Sequence, residues 1–208
     1  MKINYSDDIH SKSPSGILLI GDVHGIMNRY CRVVQKHKGR TIQLGDFGFK
    51  EDHQWHMKHL DGNINKVCFG NHDDPNYLNE LHSLGNFSNL YNNELMSVRG
   101  AMSTDRYLRT ENKDWWSNEE LRYDEMLVAY DSYVLNKPKI MLTHDCPQSI
   151  MEYVFGYKDR STTRQGFQHM FNEHKPDMWV FGHYHKSINT VIDGTRFICL
   201  NELETMVI

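Results

Sequence analysis

No apolar run in this chain approaches the ~20 residues a bilayer-crossing helix needs. The first residues, MKINYSDDIHSKSPSG, contain no apolar core of the kind a secretory signal carries. Cysteine is scarce: Cys31, Cys68, Cys146 and Cys199 lie far apart, with no C-x-x-C pair. That argues against a disulfide framework or a zinc ribbon and points to a reducing cytosol. An excess of basic charge is also missing, since the formal net charge is −4 and the pI is near 6.3. A broad nucleic-acid-binding surface is therefore not expected, although a nucleotide or a strand end could be held locally. There is no repeat of fixed period and no linker. The 208 residues, 39% hydrophobic and 24% charged, read as one folded domain over residues 1–208.

Histidine is abundant, with 13 copies, and it is both a common metal ligand and an acid–base group. A pattern organises part of that supply. ILLIGDVHG, at residues 17–25, reads as a buried strand ended by Gly21, with Asp22 and His24 on the loop that follows. Helical spacing of Ile26, Tyr30, Val33 and Val34 predicts a helix to about Lys38, stopped at Gly39. TIQLGDFG then repeats the strand and glycine and delivers Asp46, so a parallel βαβ unit would bring Asp46 beside Asp22. NKVCFGNHDD offers Asn71, His72 and Asp73, and Asp74-Pro75 would cap a helix carrying Leu78 and Leu81. KIMLTHDCP places His144 just past a strand, with Pro147 expected to block a helical continuation. MWVFGHYH ends a fifth strand with His183 and His185, which alternation would put on one side of an extended segment.

Other stretches carry weaker chemistry. Residues 1–15 read as a polar arm or hairpin lead-in. His53, His56 and His59 fall on a short helical stretch at residues 51–60, where a polar helix face is preferred to a zinc site. Arg99, Arg106 and Arg109 are candidate phosphate-binding groups. Ser117 and Glu120 have capping-box spacing and predict a helix from there to about Leu135. Residues 150–174 are expected to alternate between loop and a helix around Phe167 and Phe171. Asp193-Gly194 predicts a terminal hairpin.

The five strand ends thus supply Asp22, His24, Asp46, Asn71, His144, His183 and His185. Mixed oxygen and imidazole donors without thiolate favour ions such as Mn²⁺, Fe or Zn²⁺. Seven donors are too many for a mononuclear zinc hydrolase with one tetrahedral ion.

The series GDVHG, GD, GNHD, a single histidine after a strand, and GHYH, spread over residues 21–185, resembles the calcineurin-like metallophosphoesterase superfamily. The resemblance implies an α/β (α+β) fold in which two mixed sheets pack as a sandwich flanked by helices. It also implies two divalent ions, Mn²⁺ first, with Fe, Zn²⁺ or Ni²⁺ as other candidates. One ion would take Asp22, His24 and His185, and the other Asn71, His144 and His183, with Asp46 bridging. A metal-bridging hydroxide would attack phosphorus, and His72 would face the leaving oxygen. Asp73 would orient His72 or cap a turn.

Serine/threonine protein phosphatases of the superfamily continue GDxVDRG and GNHE, whereas this chain has LGDFGFK and GNHD. GHYH looks more like the phosphodiesterase and nuclease side. RGAMSTDR is similar to a Gly-Ala-x-Ser-x-Asp loop of small phage or bacterial metallophosphoesterases, and Arg106 in that loop is the expected substrate contact. The resemblance therefore implies a phosphodiesterase or nucleotide phosphohydrolase in a bacterial or phage-host cytosol. Its substrate would be a phosphorylated small molecule, a nucleotide or a nucleic-acid end, with no membrane and no obligate protein partner. The alternatives are a phosphomonoesterase and a non-catalytic metal-binding scaffold.

Overall fold

The computed structural model describes residues 16–48, 60–77 and 81–208. The expectations for residues 1–15, for His53, His56 and His59, and for Leu78 lie outside them. Ten strands form two mixed sheets. In chain order they are β1 (Leu18–Ile20), β2 (Thr41–Gln43), β3 (Asn65–Val67), β4 (Phe87–Leu90), β5 (Leu95–Val98), β6 (Ile140–Thr143), β7 (Met178–Phe181), β8 (Ile188–Ile192), β9 (Thr195–Cys199) and β10 (Thr205–Val207). The first sheet runs β10-β1-β2-β3 and the second β4-β5-β6-β7-β9-β8. β1, β2 and β3 are parallel, as are β5, β6, β7 and β9, while β10, β4 and β8 pair antiparallel at the edges. Four helices accompany them among the described residues: α1 (Met27–His37), α2 (Tyr123–Asn136), α3 (Gln148–Phe155) and α4 (Thr162–Glu173).

The layering follows from side chains alternating across each strand. Leu18 and Ile20 turn towards α1 and join Met27, Tyr30 and Val34, whereas Leu19 turns into the space between the sheets. Leu142, Val180 and Ile198 of the second sheet meet it there. Their neighbours Met141, Trp179 and Phe197 face the opposite way, against Tyr133, Phe167 and Phe171 of α2 and α4. The result is helix, sheet, sheet, helix, with three cores and both faces of each parallel set covered. This explains why the segments around Leu19, Met141 and Val180 read as unbroken apolar runs. It is the architecture of the calcineurin-like phosphoesterase fold expected above. No helix among the described residues is long and apolar enough to cross a membrane.

Local expectations fared unevenly. α1 and the β8–β9 hairpin formed where predicted. Within the described residues Asp74-Pro75 opens a 3-10 turn, Pro75–Tyr77, in which Asp74 Oδ1 accepts from the Asn76 N–H at 2.9 Å; the positions at which a helix would continue lie outside them. Pro147 begins α3 where a block was expected, because the first turn of a helix does not need the N–H that proline lacks. β10 was not anticipated; it crosses from the hairpin sheet to pair with β1, Leu18 opposite Val207.

The predicted capping box at Ser117 does not start a helix. α2 begins at Tyr123, where Glu125 Oε2 accepts from the Arg122 N–H at 3.0 Å. Glu120 instead accepts from Ser161 Oγ at 2.7 Å and from the Thr163 N–H at 2.9 Å, and so caps α4 from another part of the chain. Glu120→Ala should therefore destabilise the fold by about 1 kcal/mol, while Ser117→Ala stays within about 0.5 kcal/mol. Urea unfolding of both variants checks this; the reverse order would restore the local capping box.

Candidate metal centre

The motif residues leave the carboxyl ends of β1, β2, β3, β6 and β7, all at one edge of the two-sheet stack. They gather as two groups of side chains whose donor atoms lie within 4.8 Å of one another. The first is Asp22, His24 and His185. His24 Nε2 stands 2.8 Å from His185 Nε2, and His185 Nε2 stands 3.1 Å from Asp22 Oδ2. The second is Asp46, His144 and His183, with Asn71 beside it: His144 Nε2 lies 3.3 Å from Asp46 Oδ1 and 3.2 Å from Asn71 Oδ1.

The donor chemistry fits divalent cations. His144 Nδ1 faces the Leu44 carbonyl at 2.7 Å and donates its proton there. Its Nε2 therefore faces the oxygens of Asn71 and Asp46, and with the proton there exchanged for a cation three donor atoms would converge on one point. Burial disfavours a charged His144, yet Asp46 and Asp22 outweigh it and hold its pKa up to about 10. Burial likewise opposes a charged Asp46, but His144, His72 and His183 keep it well below the usual carboxylate range. A field that draws a proton so strongly would draw a divalent ion in the same way.

The backbone is bent to make this possible. His24, Asp46, His183 and His185 all adopt left-handed φ, at 47°, 53°, 71° and 49°, a conformation uncommon for residues with a Cβ. The expectation that His183 and His185 share one side of an extended segment fails for this reason. The turns send His183 to the second group and His185 to the first. Glycine is required where the loops touch the ligands. A Cβ at Gly182 would lie 2.2 Å from Asp22 Oδ1, and one at Gly70 would lie 2.3 Å from Asp46 Oδ1.

Backbone N–H groups aim the carboxylates. The His183 N–H lies 3.1 and 3.2 Å from the two oxygens of Asp22, and the His72 N–H donates to Asp46 Oδ1 at 2.9 Å. Asp73 accepts from the Gly48 N–H at 2.7 Å and the Gly70 N–H at 2.9 Å, which ties the second motif loop to the third. It does so at a cost: burial and the charge of Asp46 push its pKa up to about 6. Behind His144 and His183, buried Asp145 accepts from Arg164 at 2.8 Å and from the Tyr184 hydroxyl at 2.5 Å. These supports were missed in the sequence reading, because Asp145, Tyr184 and Arg164 carry no spacing that marks them as partners.

A cavity of about 420 Å³ opens over the first group, lined among others by His24, His72, His185, Arg109, Trp116 and Glu202. His72 Nε2 is 3.9 Å from Asp46 Oδ2. Arg109 is held by Asp105 through two 2.7 Å hydrogen bonds, and its terminal nitrogens lie 3.1 and 3.3 Å from the His72 ring nitrogens. Arg106 is exposed on a 3-10 turn, outside the residues lining that cavity. Arg99 is buried and bonded to Asn86 and to the Asn118 carbonyl.

Residues 16–203 match the sequence model of the calcineurin-like phosphoesterase superfamily domain. No curated protein sequence matches the chain. Among solved structures, a dimetal phosphatase from Danio rerio is similar at 13% identity, over 90% of this chain and 87% of its own, with a TM-score of 0.55. Phosphopantetheinyl hydrolase from Mycobacterium tuberculosis is similar at 14% identity, over 89% of each chain, with a TM-score of 0.47. At these identities the likeness concerns the fold alone.

Asp73→Asn would set an amide NH₂ against one of two backbone N–H donors. The expected loss is about 1–3 kcal/mol of stability, measured by chemical denaturation. A change under about 0.5 kcal/mol would mean that the tie between the loops is not under load.

Proposed function

Because the chain belongs to the calcineurin-like phosphoesterase superfamily, and is thereby a hydrolase of phosphoester bonds, we propose that it is a dinuclear phosphodiesterase or nucleotide phosphohydrolase. The whole chain would act as one cytosolic domain. The observation that carries the reading is the placement of Asp46 between the two groups. Its Oδ1 lies 3.3 Å from His144 Nε2, and its Oδ2 lies 4.0 Å from His24 Nε2. Asp22, His24 and His185 would hold one ion and Asn71, His144 and His183 the other, with one carboxylate oxygen offered to each. Two ions there would supply positive charge to the phosphoryl oxygens and acidify a water for attack.

The protein's own groups do the rest. His72 stands at the cavity with its backbone N–H tied to Asp46, so its ring can donate a proton or a hydrogen bond to the leaving oxygen. Arg109, locked by Asp105, presents its remaining edge beside that ring, where a phosphate oxygen or leaving group would lie. It fits the substrate contact expected of Arg106 better than Arg106 does. The second reading is a phosphomonoesterase. Arg109 is the observation that favours it, since a monoester dianion gains more from a guanidinium than a diester does.

Protein loaded with Mn²⁺, its metal counted, should hydrolyse a chromogenic phosphodiester faster than the matching monoester. The opposite preference selects the phosphomonoesterase, and no turnover with two ions bound selects the scaffold. His72→Asn should keep both ions and lower kcat by ~10²–10⁴-fold, least for good leaving groups; lost metal with equal loss on all substrates would refute the role. Arg109→Ala should raise KM by roughly 10–100-fold, the worth of a hydrogen bond to a charged group. Arg106→Ala should leave KM unchanged, and a larger effect there would return the contact to Arg106.

A further inference from the structure

Asn71 is the one amide in the proposed set. An amide turned by half a revolution would offer its NH₂ to a cation in place of its oxygen, so something has to hold the correct face forward. Asn71 Nδ2 lies 2.9 Å from Ser103 Oγ, and Ser103 Oγ lies 2.6 Å from Glu119 Oε2. The other carboxylate oxygen, Oε1, accepts from the backbone N–H of Ser103 at 2.8 Å. All three residues are buried, at 2%, 2% and 3% exposure, so bulk water does not offer substitute partners.

The polarity of this chain of bonds is fixed by its far end. A carboxylate only accepts, so the single hydroxyl proton of Ser103 is committed to Glu119. The hydroxyl then has only lone pairs for Asn71, which must meet it with Nδ2. Oδ1 is thereby turned towards His144 Nε2, 3.2 Å away. His144 is polarised from its own far side, through Nδ1 to the Leu44 carbonyl. With a cation in place of the Nε2 proton, two chains of hydrogen bonds would end with their electron pairs facing one point. We infer that Ser103 and Glu119 are positioning residues that select the metal-binding face of Asn71 and so set the affinity of the second ion site. This rests on the two-ion reading above. It gives the RGAMSTDR loop a task in addition to carrying Asp105, the residue that pins Arg109.

Glu119→Gln tests the polarity with almost no change of volume. The glutamine oxygen must stay on the Ser103 N–H, so its NH₂ faces the hydroxyl and donates to it. The Ser103 proton then turns to Asn71 and favours the reversed amide. With Mn²⁺ titrated into chelator-stripped protein and free Mn²⁺ read by electron paramagnetic resonance, one of the two affinities should fall ~10–100-fold. The other affinity, and the melting temperature without metal, should hold. Adding Asn71→Asp, whose carboxylate accepts the redirected proton, should recover at least ~10-fold relative to additive effects. If Glu119→Gln does not fold, Ser103→Ala, which deletes the hydroxyl alone, is expected to weaken the same ion. Wild type holding two ions while the variants hold two at equal affinity, or strictly additive effects in the double variant, would overturn the relay. A wild type that binds a single ion would instead sink the two-ion reading.

Discussion

Two carboxylates, Asp22 and Asp46, are buried at 0% and 1% exposure in the seam where both sheets end. Placing negative charge there is costly unless positive charge and hydrogen-bond donors surround it. Much of the surrounding structure answers that demand. Five imidazoles from four loops crowd the two groups, backbone N–H groups of His72 and His183 point at their oxygens, and glycines leave the space that oxygens occupy. His24, Asp46, His183 and His185 accept left-handed backbone to take part. Strain of about 1–3 kcal/mol at each such position persists only when neighbouring contacts over-determine it, and the three cores and the ties through Asp73 and Asp145 provide those contacts.

The sheets explain why a seam exists at all. β1, β2 and β3 end at the same edge as β6 and β7, so loops far apart in sequence meet over a short distance. β10 reinforces this by joining the chain's last segment to β1, which brings Glu202 to within 3.7 Å of His185. The cavity above the first group then combines histidines, a clamped arginine and carboxylates in one mouth.

Much of the fold was legible because burial on both faces leaves a plain mark. The segments around Leu19, Met141 and Val180 are continuous apolar runs, each closed by glycine or a polar residue, and the mixed TIQL segment around Ile42 is closed by Gly45. Counting strand ends brought Asp22, His24, Asp46, Asn71, His144, His183 and His185 to one place, while their division between two groups came from the superfamily resemblance. What stayed hidden was set by partners distant in sequence. Glu120 has capping-box spacing with Ser117 yet caps α4, because Ser161 and Thr163 arrive from elsewhere. His183 and His185 diverge through backbone torsions that no alternation rule anticipates. Arg106 and Arg109 look equivalent in the sequence, and only the bonds from Asp105 show which guanidinium is held at the cavity.

In the proposed centre one carboxylate, Asp46, would be shared between two cations. The most direct test is an anomalous difference map from a crystal soaked in Mn²⁺. Two peaks about 3.5–4 Å apart, with an Asp46 oxygen on each, are predicted. A single peak, or two peaks with Asp46 ligating neither, would contradict it.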